Sequence, residues 1–233
     1  MSDFVVREHK AGPALLLWAV LIVALNGGAW TSGLRLTQLV DAIERGAARI
    51  ETRTKGEVSE DTIRKAIRTQ RDSLAFWRTM ALLGDFAVEP LMPTLRALAI
   101  TITLAALAAL TGRPTSFGAS LAENARLQGF WVLGLAVPLA LMVLLARSDV
   151  ETSATLALAP AKYPAAIWVA ARQAEPFALI GWLLTIHAAW RRHQANLFNA
   201  TLACLLLATT EALARIAFAL VLGAGMRLTV LPD

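Results

Sequence analysis

The run from 197 to 226, LFNATLACLLLATTEALARIAFALVLGAGM, constrains this chain more than any other stretch. As a helix rising ~1.5 Å per residue it is ~45 Å long, enough to cross a bilayer with tilt. Its only charged residues are Glu211 and Arg215, four apart and therefore on one face. An acid or a base in hydrocarbon is costly unless it pairs or turns toward protein. Thr201, Cys204, Ala208 and Ala219 fall near the same stripe. That small and polar face is expected to pack against other spans.

Further apolar runs extend the pattern. Residues 13–30 form the first, with Pro13 suited to a first helical turn and Trp30 to an interface. It is longer than a signal-peptide core, so it is expected to stay as span one. Span two is expected at 91–111, entered through Pro90 and Pro93, with Arg96 one turn in and able to snorkel outward. Ser120 and Glu123 have capping-box spacing and can open a helix leading into span three at 129–146, where Pro138 predicts a kink. Residues 165–190 read as an interfacial helix, or the first turns of a tilted span, followed by span four. Arg191, Arg192 and His193 make a basic turn into span five at 197–226.

Between spans one and two lies the one long polar section, 31–90. Leu36, Leu39, Val40, Ile43 and Ala47 recur at helical spacing, and Gly56 interrupts them. Ser59, Glu60 and Asp61 then resemble a helix start. Ile63, Ile67, Leu74, Trp77 and Ala81 make a second stripe, opposed by Arg64, Lys65, Arg68, Arg71 and Arg78. Gly84 is the expected stop. The section therefore reads as an extramembrane amphipathic hairpin, free to pack on itself, on the lipid surface or on a partner. The fold class is all-α: a polytopic transmembrane bundle of about five spans.

Composition sharpens the class. The chain is 57% hydrophobic and 17% charged, against roughly 45–50% and 25% in soluble domains. The net charge of +5 suits loops facing anionic lipid rather than nucleic acid, because no basic stripe stands free of acids. One cysteine, Cys204, excludes an internal disulfide and a thiolate metal cluster. On short loops, Arg7, Lys10, Arg113, Arg126, Arg191 and Arg192 fall on one side, and Arg147, Lys162, Arg172 and Arg227 on the other. That excess puts the N-terminus in the cytoplasm.

Three segments bring a family into view: VSEDTIRKAIRTQRDSLAFWRTMALLGDFAVEP, GRPTSFGASLAENARLQGFWVLGLAVPLALMVLLA and AEPFALIGWLLTIHAAWRRHQANLFNATLACLLLATTEALARIAFALVL. The pattern resembles a bacterial member of the Yip (Ypt/Rab-interacting protein) family of five-span integral membrane proteins. A Gly-x-x-Ser-Phe-like turn before span three is matched by Gly112, Ser116 and Phe117, and a proline within that span by Pro138. The Asp-Leu-Tyr-Gly-Pro element of eukaryotic members is missing, so Rab binding does not carry over. The resemblance implies a five-helix bundle in the bacterial inner membrane, a cytoplasmic N-terminus and no known chemistry.

Candidate functional residues are few. Glu211 and Arg215, with His187 in span four, are the intramembrane polar groups, either a proton or ion relay or structural partners for neighbouring spans. A Glu-x-x-x-Arg element also occurs in intramembrane CAAX-type proteases, but no histidine follows Arg215. Gly27, Gly28, Gly223 and Gly225 are expected points of close helix contact. Trp30, Trp190, Arg191 and Arg192 are expected interface anchors. No phosphate loop, dinucleotide fingerprint or nucleophile elbow occurs, and no cofactor is implied. The expected function is a non-enzymatic scaffold or accessory subunit of a larger membrane complex, with lipids and other integral membrane proteins as partners. The alternative is a transporter or permease-like subunit using Glu211, Arg215 and His187. Polar groups from spans two to four converging on Glu211 would favour that alternative.

Overall fold

A computed structural model gives the fold. It describes residues 10–54, 59–113, 115–148, 150–158 and 165–230. Among these every regular element is helical. Four helical stretches are long and apolar enough to cross a membrane: Ala11–Thr31, a window within Glu60–Leu110, Phe117–Leu145 and Leu197–Val221.

Helix α1 (Ala11–Thr31) ends at a turn through Ser32 and Gly33, whose φ of +77° suits a residue without Cβ. Helix α2 (Leu34–Thr54) packs against α3 (Glu60–Asp72), and Gly56 lies outside the described residues. The pair is tied by Arg71, which donates from Nε and Nη2 to the two Glu44 oxygens, each at 2.9 Å. Those hydrogen bonds hold the Glu44 carboxyl below its ordinary range and raise Arg71 in turn.

Gly84 does not stop the helix that follows. α4 (Leu74–Leu83) runs through a single π turn, Gly84–Val88, into α5 (Glu89–Leu110). The wider turn places Asp85 inward, where it is buried. Three side chains hold it: Asn26 Nδ2 donates to its carbonyl at 2.8 Å, Trp30 Nε1 to Oδ2 at 2.9 Å, and Arg35 to both carboxylate oxygens at 2.8 and 2.6 Å. The α1–α2 corner is thereby fastened to the π turn.

Helix α6 (Phe117–Leu127) is capped by Ser116, whose hydroxyl accepts from the Ala119 amide. Ser120 is buried within the helix, so the capping-box reading gives way. Glu123 instead pairs with Arg191 and Arg192. One non-helical residue, Gln128, joins α6 to α7 (Gly129–Leu145). A short 3₁₀ turn (Ala154–Ala157) precedes α8 (Ala165–Gln173), which breaks at Ala174 and Glu175 before α9 (Pro176–Arg191). At 16 residues α9 is ~24 Å long, short of a ~30 Å apolar layer. α10 (Leu197–Val230) is the last described element.

The connections gather at two ends. At one, Arg113 donates to the His193 carbonyl at 3.2 Å, bringing the α5–α6 turn beside the α9–α10 turn. At the other, Gln38 donates to the Ser148 carbonyl at 3.1 Å, and the Ser148 hydroxyl meets Asp41 at 2.8 Å. Near the first end Ile100, Leu104, Ala189, Ala195 and Ala200 form a buried apolar cluster. The outer surfaces of α1, α5, α7, α9 and α10 expose leucine, valine and phenylalanine. That distribution is expected where the solvent is hydrocarbon.

Candidate functional site

The site is built around Glu211, and Arg96 is its main partner. Arg96 reaches across from α5, donating to Glu211 Oε2 from Nε at 2.8 Å and to Oε1 from Nη2. Its side chain is only 5% exposed and that of Glu211 20%. Arg96 does not snorkel outward: it is buried and turns to the Glu211 carboxylate and the Gln128 amide. Arg96 Nη1 donates to Gln128 Oε1 at 3.0 Å, and its guanidinium carbon sits 4.5 Å from the Trp131 ring centroid. Arg215 adds its own bonds to Glu211 Oε1, at 3.2 Å from Nε and 3.0 Å from Nη2.

A polar chain continues inward. Gln128 Nε2 donates to the Asn124 carbonyl at 3.1 Å, and Asn124 Nδ2 to the Thr101 hydroxyl at 2.9 Å. That hydroxyl donates to the Ala97 carbonyl one turn back. Between α6 and α7 the fully buried Gln128 amide faces Arg96. Trp131 then packs edge-on against Trp182 of α9, with ring centroids 5.5 Å apart.

Beside this network lies a cavity of about 230 Å³. Three arginines, Arg96, Arg172 and Arg215, and three glutamates, Glu89, Glu175 and Glu211, line it, so its formal lining charges cancel. Glu175 caps α9 by accepting from the Ala178 amide at 2.8 Å through Oε2. Its Oε1 is buried and has no hydrogen bond among the described residues. Counted along the helices from the end bearing the α9–α10 turn, Arg96 lies roughly 21 Å from Leu110 and Glu211 roughly 21 Å from Leu197. Glu175 lies roughly 24 Å from Arg191. α9 thus begins beside the cavity, and the end of α8 lines it too.

The other residues singled out by sequence fall elsewhere. His187 is exposed on α9, one turn from its end, with its ring 5.8 Å from that of Trp190. It does not join Glu211. Added Cβ atoms at Gly27 or Gly28 would meet nothing within 4 Å. Within the chain these are not close-contact points, because their side of α1 faces outward or half-open space. The close approaches are at Gly129 against Trp18, Gly134 against Glu175, and Gly181 against Trp131. Gly223 and Gly225 lie on α10 beyond the residues whose side-chain surroundings are described. Trp30 is drawn inward to Asp85, whereas Trp190 is half exposed beside Arg191, as an anchor would be. Arg191 and Arg192 spend charge on Glu123. On α10, Cys204 is buried and Ala208 lines the cavity, but Thr201 is exposed and leaves the packing stripe.

Fold and site together define a membrane protein built on several apolar helices, with a charged cavity inside its helix bundle. No family model, curated protein or solved structure matches the chain. The likeness to the Yip proteins therefore rests on the quoted segments alone.

Proposed function

We propose that this chain is a non-enzymatic, multi-pass protein of the bacterial inner membrane that binds a small polar molecule in the Glu211 cavity, as a permease-like or accessory subunit. The observation that carries the reading is the convergence on Glu211 of charged and polar groups from α5, the α6–α7 junction, and α8–α9. Ionisable groups at such depth mark pathways or binding sites more often than surface charges do. In this reading α8 and α9 together make the fourth of five spans, broken where it lines the cavity, as non-helical backbone at depth must be. The α2–α3 pair stands outside the bilayer, and the end bearing Arg113, Arg191 and Arg192 faces the cytoplasm.

A test is native mass spectrometry of the protein extracted from its own membranes. A bound small molecule or lipid is expected on the wild type and is expected to fall away in Ala208→Phe, which fills the cavity. Bare wild-type protein would refute the reading.

A scaffold role is the second reading, favoured by one observation. Ile180, Leu183 and Trp190 form an exposed stripe on α9 with His187 in its midst. A polar ring on an outward apolar face suits contact with a partner helix. Co-purification of a stoichiometric membrane protein, lost in His187→Leu, would support it. A clean monomer that behaves identically with or without His187 would remove it.

A further inference from the structure

We infer that the cavity is a site for a net-neutral zwitterion, with an N–H-bearing cation held at Glu175 and an acid group held by Arg172 and Arg215. This rests on reading the cavity as a binding site, and it names the class of occupant. The first argument is charge. Three arginines and three glutamates leave the lining neutral overall. A bare anion would satisfy the arginines and leave half-buried glutamates facing added negative charge; a bare cation would do the reverse. A molecule carrying both signs at its two ends costs neither.

The second argument is which groups are already committed. Glu211 accepts from Arg96 and Arg215. Arg96 spends its donors on Glu211 and Gln128, with its face on Trp131. Neither has much left to offer a ligand. Glu175 differs: one oxygen caps α9, and the other is buried without a hydrogen bond among the described residues. A buried carboxylate oxygen in that state costs free energy until a donor arrives, and an ammonium supplies up to three. On the basic side, the one acid that Arg172 reaches among the described residues is Glu151, at 3.8 Å and with both groups partly exposed. Arg215 uses Nε and Nη2, leaving Nη1 without a hydrogen bond among the described residues. Each guanidinium has five N–H donors in a fork suited to carboxylate or phosphate.

The third argument is size. About 230 Å³ lies below the ~300–1,000 Å³ typical of pockets for drug-sized ligands. It suits a headgroup or an amino acid. Phosphatidylethanolamine and a free amino acid present the same chemistry, an ammonium and an acid on a short tether. Phosphatidylcholine does not, because its quaternary nitrogen has no N–H for Glu175.

The full-length protein in nanodiscs containing equal phosphatidylethanolamine, phosphatidylcholine and phosphatidylglycerol separates the possibilities by native mass spectrometry of retained lipid. β-Alanine and glycerophosphoethanolamine are titrated in parallel against thermal stability. Selective retention of phosphatidylethanolamine identifies the lipid source; stabilisation by β-alanine, with no lipid preference, identifies the soluble one. Either outcome supports the inference when the binding falls at least tenfold in both Glu175→Gln and Arg172→Gln. Arg172 is exposed enough that its variant keeps the fold should Glu175→Gln weaken the α9 cap. Preferential retention of phosphatidylglycerol, or equal retention of phosphatidylcholine, overturns the zwitterion while leaving the cavity as a binding site. Wild-type protein that neither retains lipid nor responds to either solute overturns both.

Discussion

Replacing Arg96 by Met leaves Glu211 inside the bundle with Arg215 as its remaining basic partner. Arg96 makes two of the bonds to Glu211 and is almost wholly buried, whereas the Arg215 side chain is 41% exposed. Breaking a buried ion pair from one side costs roughly 3–5 kcal/mol, because the other charge stays behind uncompensated. The i,i+4 pair with Arg215 recovers only about 0.2–0.5 kcal/mol of that. Glu211→Met strands Arg96 in the same way, with Gln128 as its remaining hydrogen-bond acceptor. The double variant strands neither, so its loss is expected to fall short of the summed single losses by about 2 kcal/mol or more, within the range of coupled neighbours. Unfolding in mixed micelles, titrated with SDS and followed by circular dichroism, measures all four corners. Single variants as stable as wild type, or a double variant whose loss equals the sum, would refute the reading of Arg96 and Glu211 as a buried pair in which each needs the other.

Asp85→Asn removes the negative charge and one of the two acceptors that Arg35 uses and is expected to cost roughly 1–3 kcal/mol; faster proteolysis at the α1–α2 corner is the accompanying sign. Gly181→Ala drives a Cβ to 2.5 Å from the Trp131 ring and is expected to destabilise by about 1–3 kcal/mol. Gly27→Ala meets open space and is expected to be neutral or stabilising by roughly 0.5–1 kcal/mol; equal effects in a thermal melt would contradict the placement of α7 against α9. The Glu44 carboxyl is held below its ordinary range, so the stability it lends the α2–α3 pair is present above that range and is lost as pH falls through the depressed value. Hydrogen exchange along α3 should accelerate there, and Glu44→Gln should abolish the pH step. Thr115→Cys is expected to react with membrane-impermeant maleimide only in inverted vesicles; labelling of intact cells would reverse the proposed orientation.

What the sequence made visible was local. Runs of apolar residues, the prolines at the start of α5, and the acids opening α3 are neighbours along the chain, and each was legible as such. Arg96 was not, because its partner lies 115 residues away. An arginine one turn inside a span carries the same local pattern whether it reaches for lipid headgroups or for an acid on another helix. Asp85 was hidden by Gly84, which resembles a helix stop but here begins a π turn. The glycine pairs misled for a related reason. Smallness permits close approach but does not cause it; Gly181 is crowded because Trp131 happens to point there. His187 is polar in an apolar run, yet its register on α9 turns it away from Glu211.

The balance of three arginines against three glutamates around the cavity bears on energetics across a charged membrane. Moving one elementary charge through a 100 mV potential is worth about 2.3 kcal/mol. A compartment of zero formal charge that accepts a zwitterion carries no net charge across that voltage in either state. Its occupancy should then be the same in an energised cell and a depolarised one, so that supply of the ligand alone decides how full it is.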